Sequence, residues 1–314
     1  MKNINTKKLL GTIIGLALIV ALAFVVNWHE LAKALSHLTL KIIIALLIVS
    51  YILIYLSALK WKILMEEFHE KINTSFLFKM YLVGYFVNLL LPSFVGGDIT
   101  RSYFVSNKKG KHHESLAATI MERSMGLLAM VILSLVGLIF MKNVPQKIVN
   151  IVLLTAAVVV LSFVIIISPS TASLIKKIIK NKKLISHISR FHNALNQCIK
   201  NKSLFAKALL LSLLFHTTTV INTAIAALGV GWYNFSIADI FSVLPVILLI
   251  GSLPVTPSGL GIQEGAFLYF LHQIGATKAQ ALSIALVLRA KNYLLALLGS
   301  IIWFSYFKNL KKNR

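Results

Sequence analysis

The chain has 314 residues, of which 58% are hydrophobic and 13% are charged, and its mean hydropathy is +0.83. This composition excludes a water-soluble globular protein and predicts an all-α, polytopic helical membrane protein, with residues 1–314 forming a single integral membrane domain. The 32 Lys and Arg residues, against 9 Asp and Glu residues, lie between apolar runs. We interpret them as topology signals and anionic-lipid contacts, and we expect no nucleic-acid partner.

The N-terminus places Lys2, Lys7 and Lys8 before an apolar run from Leu9 to Val26. The run has about the 20 residues that a span requires, and no small-residue cleavage site follows it. We therefore predict a retained first span rather than a cleaved signal peptide.

Six apolar runs are long enough to cross a bilayer. They lie near residues 9–27, 41–61, 115–140, 147–168, 205–229 and 279–306. Two further apolar stretches, residues 76–104 and 238–273, are interrupted by Pro/Gly motifs. The sequence thus predicts about six full spans and two broken, re-entrant hairpins.

Basic residues flank the first broken stretch on both sides. They are Lys60, Lys62, Lys71 and Lys79, followed by Arg101, Lys108, Lys109 and Lys111. Because basic loops stay in the cytoplasm, this stretch is predicted to enter and leave from the cytoplasmic face. The basic, amphipathic segment 169–204 and both termini are also predicted to be cytoplasmic.

The second broken stretch lies between segments with few basic residues, since 230–238 has none and 275–278 has only Lys278. It is therefore predicted to enter and leave from the outer face. Three complete spans separate the two stretches. Because this number is odd, it independently predicts that the second unit is inverted relative to the first. We interpret residues 76–140 and 238–306 as inverted repeats of the kind found in secondary transporters. Chance similarity between two apolar segments is the alternative.

Each broken stretch contains an acidic residue that is followed 25 positions later by an arginine inside an apolar run. The pairs are Asp98 with Arg123 and Glu264 with Arg289. Helix breakers and charges at membrane depth are costly, so their paired occurrence predicts a binding site at the repeat interface. A purely structural ion-pair network is the alternative, although buried pairs contribute little net stabilisation.

The first motif reads Asn88-Leu-Leu-Leu-Pro92-Ser-Phe-Val-Gly96-Gly97-Asp98-Ile-Thr-Arg101. Its glycines permit a tight turn, and Asp98 can cap a short helix that runs through Arg101 toward Phe104. Capping alone would explain Asp98. The functional interpretation is that the helix N-terminus binds an anionic headgroup and that Arg101 adds a bidentate phosphate contact.

The second motif repeats the arrangement as Pro254-Val-Thr256-Pro257-Ser258-Gly259-Leu-Gly261-Ile-Gln263-Glu264. The prolines are expected to end one half-helix and the glycines to form the turn. Gln263 and Glu264 are then expected to open the next half-helix.

The long apolar runs carry four further charges, Glu122, Arg123, Arg289 and Lys291. Adjacent residues point about 100° apart on a helix, so Glu122 and Arg123 cannot both face lipid cheaply. We therefore expect pairing across helices, with Arg123 against Asp98 and Arg289 against Glu264.

The combined pattern resembles the lysylphosphatidylglycerol synthase transmembrane-domain family, also catalogued as uncharacterised integral membrane proteins. The resemblance rests on N-x3-P-x3-GGD-x2-R, ER in the next span, P-x-TP-x-G-x-G-x2-E and a late arginine, and it covers nearly the whole chain. In the bacterial multiple peptide resistance factor, such a domain is assigned lipid flipping and precedes a soluble domain that transfers lysine to phosphatidylglycerol. Because this chain ends at Arg314, the resemblance implies the flippase-like part without the synthase.

These observations predict a translocase that moves a phosphate-bearing or aminoacylated phospholipid, such as lysylphosphatidylglycerol, or a polyprenyl-phosphate lipid, between leaflets of the cell membrane. No catalytic residue, cofactor or metal is predicted. The predicted phosphate ligands are Arg101, Arg123, Arg289 and Lys291. The acids predicted to pair with them, bind a headgroup amine or exchange protons are Asp98, Glu122 and Glu264. The predicted polar and backbone positions are Asn88, Pro92, Gly96, Gly97, Thr256, Pro257, Ser258, Gly259, Gly261 and Gln263.

Two alternatives are kept. A membrane-embedded lipid-modifying transferase of the phosphatidylglycerol lysyltransferase type would use the acids as general base or metal ligands. The chain lacks a dense His/Asp cluster, and His112-His113-Glu114 is expected in a solvated basic loop. The second alternative is a partner that presents lipids to a separate synthase and binds them without transport.

The predicted topology places position 107 inside and position 234 outside. Single cysteines introduced at Asn107 and Asn234 should therefore be labelled by an impermeant reagent from opposite sides of the membrane. Labelling of both from one side would contradict the inverted arrangement.

Overall fold

The computed structural model describes residues 2–68, 71–90, 95–109, 112–141, 145–168, 173, 182–253 and 255–312. All regular structure within these ranges is helical, which confirms the predicted all-α class. The helices are α1 Lys2–Val25, α2 Trp28–Ser36, α3 Leu40–Glu66, α4 Thr74–Leu90, α5 Val95–Lys109, α6 His112–Phe140, α7 Gln146–Ile167, α8 Lys182–Lys200, α9 Lys202–Gly229, α10 Ile237–Gly251, α11 Ile262–Gln273 and α12 Lys278–Lys312. A 3₁₀ turn, Pro257–Gly259, lies between α10 and α11.

Among the residues described, five helices are long and apolar enough to cross a membrane, namely α3, α6, α7, α9 and α12. They correspond to five of the six predicted full spans. The predicted span 9–27 corresponds to α1, Lys2–Val25, which has 24 residues. The chain is a multi-pass membrane protein.

The short helix α2 was not predicted. Its N-cap is Asn27, whose Oδ1 accepts hydrogen bonds from the N–H groups of His29 at 2.9 Å and Glu30 at 3.3 Å. Leu31 and Ala34 are its buried residues, so this amphipathic helix packs one face inward. A helix of nine residues is too short to stand out beside the long apolar runs.

The first broken stretch consists of α4 and α5, which contact each other. Asn88 Oδ1 accepts a hydrogen bond from the Gly97 N–H at 2.8 Å and so ties the end of α4 to the start of α5. A Cβ atom added at Gly97 would lie 2.5 Å from the Gly84 carbonyl oxygen, so only glycine permits this approach. Pro92 lies outside the described residues.

The second broken stretch consists of α10, the 3₁₀ turn and α11. Ser258, Gly259 and Gly261 have φ values of 49°, 65° and 78°, in the left-handed region that glycine adopts at little cost. The predicted glycine turn is confirmed. Helix α1 covers it, because a Cβ atom at Gly261 would lie 2.5 Å from Leu18 Cβ.

The tips of the two broken stretches meet. Ser258 Oγ donates a hydrogen bond to the Asn88 carbonyl oxygen at 2.9 Å, and α4 contacts the 3₁₀ turn. Two interrupted helices thus end against each other inside the molecule, and this junction positions the charged residues described below.

Two main hydrophobic clusters surround the two broken stretches. One contains Leu64 of α3 and Ala208 of α9 beside α4 and α6 residues, and the other contains Leu46 of α3 and Val220 of α9 beside α10, α11 and α12 residues. Helices α3 and α9 pack along each other and contribute to both clusters, so they join the two halves.

Several charges predicted to lie in loops are helical. Lys60 and Arg101 are buried within α3 and α5, and the predicted loop at 112–114 is the first turn of α6. Lys60 and Arg101, counted above among the basic residues that flank the first broken stretch, are therefore buried side chains of helices. Asp98 lies in the first turn of α5, which begins at Val95, so Asp98 is not the N-cap residue.

The described part of the predicted surface segment, Lys182–Lys200, forms the amphipathic helix α8. Its residues Ala194, Leu195 and Cys198 are buried against the cluster around the first broken stretch. Its C-terminal end is joined to α3 by a hydrogen bond from Gln197 Nε2 to the Glu67 carbonyl oxygen at 3.1 Å. Its cytoplasmic location stays a prediction.

The packing of α12 on α4 predicts contrasting effects of two glycine substitutions. A Cβ atom at Gly299 would overlap the carbonyl oxygen of Leu82 on α4, whereas one at Gly265 of α11 meets nothing within 4 Å. Gly299→Ala should lower the free energy of unfolding by about 1–3 kcal/mol through overpacking. Gly265→Ala should cause no loss, because alanine favours helix. Thermal melting of the purified proteins in detergent checks this. Equal melting of the two variants would contradict the close α4–α12 packing.

Candidate functional site

The carboxylate of Asp98 lies between two guanidinium groups. Arg101 Nε donates to Asp98 Oδ1 at 3.1 Å, and Arg123 Nε donates to Asp98 Oδ2 at 2.6 Å. The second bond joins α5 to α6 and confirms the predicted Asp98–Arg123 pair. Both carboxylate oxygens are therefore engaged by side chains.

Arg101 is buried among side chains of three other helices. Its Nη2 donates to Glu122 Oε2 at 2.6 Å, and its guanidinium carbon lies 4.6 Å from the ring centroid of Trp61 and 4.1 Å from that of Tyr81. Cation–π contacts with these two perpendicular rings, whose planes are 87° apart, stabilise the buried guanidinium group. This confirms the expectation that Glu122 pairs across helices.

Lys60 extends this cluster to α3. Its Nζ lies 3.8 Å from Glu122 Oε1 and 5.3 Å from the ring centroid of Phe215 on α9. Sequence reasoning missed Lys60, Trp61 and Tyr81 as site residues. The available signal was the position of Lys60 inside an apolar run, where a lysine requires a partner.

Glu264 forms the centre of the second site. It lies in the first turn of α11, and its Oε2 accepts the Gly261 N–H at 2.7 Å. Arg289 of α12 donates from Nε to Glu264 Oε1, which confirms the second predicted pair. Gln263 and Glu264 open α11 as expected.

The remaining nitrogens of Arg289 bind the 3₁₀ turn and its neighbour. Nη1 donates to the Ser258 carbonyl oxygen at 3.3 Å. Nη2 donates to the Gly259 carbonyl oxygen and to Gln263 Oε1, each at 3.4 Å. Arg289 therefore ties α12 to the turn as well as to Glu264.

The two sites have matching construction. Each acid lies in the first turn of the second half-helix of its stretch. Each arginine lies eleven residues after the first residue of its long helix, His112 for Arg123 and Lys278 for Arg289. At about 1.5 Å per residue, this is about 16 Å along the helix axis in both cases.

Other predicted residues line the same junction. Thr256 is buried before the turn that Pro257 begins, and Gly259 is buried within it. Gly96 lies in the first turn of α5, where its carbonyl oxygen accepts from Thr100 Oγ1 at 2.8 Å. Lys291 is buried, but it forms no ion pair with an acidic side chain in the described part of the chain. The structure therefore does not join Lys291 to the Glu264–Arg289 pair.

Among the residues described, no group of three or more His, Cys, Asp or Glu side chains could hold a metal ion. The chemistry that the site offers is exchange of ion pairs. A guanidinium group is a cation suited to phosphate, and a carboxylate can accept a proton or an ammonium group.

Known proteins resemble the chain over most of its length. A UPF0104 membrane protein of Methanothermobacter thermautotrophicus is 20% identical over 94% of this chain and 94% of its own length. One of Pyrococcus horikoshii is 21% identical over 94% of this chain and 96% of its own, and one of Methanocaldococcus jannaschii is 26% identical over 72% of this chain and 97% of its own. No solved structure matches the chain.

The family model described as the lysylphosphatidylglycerol synthase TM region matches residues 12–299. This range contains both broken stretches and both acid–arginine pairs, so the match includes the whole candidate site. The chain therefore belongs to the family of lysylphosphatidylglycerol synthase transmembrane regions.

Proposed function

We propose that this protein is a lipid translocase that moves a phosphate-bearing or aminoacylated phospholipid between the leaflets of the cell membrane. The observation that carries the proposal is the pair of matched acid–arginine sites on two broken helices whose tips touch. Charges at membrane depth commonly mark substrate or ion pathways, and discontinuous helices that meet near the midplane are typical of secondary transporters.

Inverted repeats would supply the movement. Residues 76–140 and 238–306 would form two units that approach the midplane from opposite faces, with both termini cytoplasmic. When one unit rocks against the other, the Ser258–Asn88 hydrogen bond between their tips would break, at a cost of only about 0.5–1.5 kcal/mol. The close packing of α4 on α12 also joins the two units, so it would have to slide in the same movement.

Exchange of ion pairs would lower the cost of moving a headgroup through the bilayer. A phosphate that approaches Arg123 would replace the carboxylate of Asp98, and the released carboxylate could bind an ammonium group or a proton. An aminoacylated phospholipid such as lysylphosphatidylglycerol carries both groups, and the description of the family contains the name of this lipid. Asn88, Thr256 and Gln263 would provide neutral hydrogen bonds.

Reconstitution tests the proposal directly. The purified chain is placed in liposomes that contain fluorescent phosphatidylglycerol, lysylphosphatidylglycerol or a polyprenyl phosphate, and the exchange of each lipid between leaflets is followed under imposed ion gradients. Protein-dependent exchange of one lipid is expected. Absence of exchange for all three would contradict the proposal, and a change in the covalent mass of a lipid would instead indicate a transferase.

Removal of either buried acid is predicted to stop transport. Removing one partner of a buried ion pair costs about 3–5 kcal/mol, so Asp98→Asn and Glu264→Gln should slow lipid exchange about 100-fold or more if that cost falls on the transport step. Glu66→Gln is the matched control, because Glu66 forms a more exposed pair with Lys62 at 3.6 Å. Such surface pairs are worth about 0–1 kcal/mol.

Exchange rates are compared at equal reconstituted amounts of monodisperse protein, so that a folding defect is not counted as a transport defect. Normal exchange in both Asp98→Asn and Glu264→Gln would rule out the assigned site. Slow exchange in Glu66→Gln would show that loss of any acid impairs the protein.

A further inference from the structure

Five charged side chains of the first site form one row of alternating sign, which we call the charge row: Arg123, Asp98, Arg101, Glu122 and Lys60. The successive N–O distances are 2.6, 3.1, 2.6 and 3.8 Å. The row joins α6, α5 and α3. It begins and ends with a cation, and each carboxylate already lies between two cations.

The two ends of the charge row differ in exposure. The side chain of Arg123 is 53% exposed, whereas those of Asp98 and Arg101 are 14% and 2% exposed. At the other end Lys60 is 5% exposed and lies over the ring of Phe215. A molecule from outside the protein can therefore reach the row at Arg123.

In the first site, cations outnumber carboxylates, and two buried hydrogen-bond donors have no acceptor. Three cations face two carboxylates within the row. In addition, the Nη1 of Arg101 and the Nε1 of Trp61 are buried donors without a hydrogen-bond partner. Buried donors and unmatched charges are costly in an apolar environment, so the arrangement favours one additional anionic ligand with oxygen acceptors.

Arg123 has the donor groups for that ligand. It donates to Asp98 through Nε, and its two Nη groups form no hydrogen bond with any residue that the structure describes. The Nη groups of an arginine form a fork that matches two oxygens of a phosphate. A phosphate bound there would continue the alternation of charge beyond the exposed end of the row.

Arg289, the counterpart of Arg123 in the second site, has no such free donors. Each of its three nitrogens is hydrogen-bonded, to Glu264, to the carbonyl oxygens of Ser258 and Gly259, and to Gln263. Its side chain is 11% exposed, and its partner Glu264 is 2% exposed. Arg289 is therefore positioned to hold the turn rather than to bind a ligand.

We propose that the two arginines divide the work: Arg123 binds the phosphate oxyanion of the ligand, and Arg289 is a positioning residue that holds the turn of the second broken stretch. Arg101 and Trp61 lie behind Arg123 and supply further donors when the oxyanion moves inward. This assignment rests on the proposed function in that it takes the ligand to be a lipid phosphate. The same chemistry would also bind free inorganic phosphate.

Binding measurements on the purified full chain separate the roles. The probes are dihexanoyl-phosphatidylglycerol, inorganic phosphate and a phosphate-free diacylglycerol, and the readout is the Kd of each in detergent. Arg123→Gln should weaken binding of dihexanoyl-phosphatidylglycerol at least about tenfold, the loss expected for a charge-assisted hydrogen bond. Arg123→Lys, which keeps the charge without the fork, should recover part of the affinity.

Two variants serve as controls. Arg289→Gln should leave the Kd within about twofold while lowering the melting temperature, because the turn loses its contacts with α12. Lys147→Gln removes an exposed cation of α7 and should change neither quantity. Equal loss of binding in Arg289→Gln and Arg123→Gln, or unchanged binding in Arg123→Gln, would overturn the division of roles.

The binding and liposome measurements together test this inference separately from the translocase proposal. They also distinguish a lipid phosphate from free inorganic phosphate as the ligand. Arg123-dependent binding without exchange of any lipid in liposomes would leave the inference standing and contradict the translocase. Lipid exchange by the unaltered protein, with unchanged lipid binding in Arg123→Gln, would support the translocase and contradict the role of Arg123. Equal affinity for inorganic phosphate and the lipid would contradict the proposal that the ligand is a lipid. A clear preference for the lipid would support it.

Discussion

An ionised side chain in an apolar interior requires an opposite charge beside it, and this constraint determines how the centre of the molecule is assembled. Asp98 supplies the opposite charge for both Arg101 and Arg123. The bond to Arg123 also joins the second half of the broken helix to the long helix that follows. Glu264 does the same for α11 and α12. Each connection links elements that are close along the chain, so the two halves carry their own charged centres. The contact between their tips is then left to a neutral hydrogen bond.

Matching construction has produced two sites with different chemistry. In the second site the guanidinium group of Arg289 is used internally, and its partner Glu264 also accepts a backbone N–H. In the first site the additional basic residues Arg101 and Lys60 leave a cationic excess. The two sites therefore differ in how much of their arginine donor capacity is used within the protein.

Sequence reasoning identified the features that are costly in a membrane. The two acid–arginine pairs, the glycine turn at Gly259 and Gly261, and the five long helices were predictable, because an unpaired charge or a broken helix at membrane depth has few physical explanations. It missed Lys60 as a site residue. A charge at the end of an apolar run reads equally well as a loop residue or as the buried last turn of a helix, and only packing distinguishes the two.

The aromatic rings around Arg101 and the contact between Ser258 and Asn88 could not be predicted for a related reason. Trp61 and Tyr81 look like ordinary apolar residues of their helices, and their stacking on a guanidinium group depends on the angle at which α3, α4 and α5 meet. Likewise, a hydrogen bond between residues 170 positions apart leaves no local pattern in the sequence.

The meeting of the two tips has an electrical consequence. If the two broken stretches enter from opposite faces, as the loop charges predict, water reaching each tip would concentrate the membrane potential across this junction. Moving one elementary charge through the full potential is worth about 2.3 kcal/mol per 100 mV. The charged groups of both sites lie beside the junction, so in that arrangement the displacement of a headgroup there would be coupled to voltage.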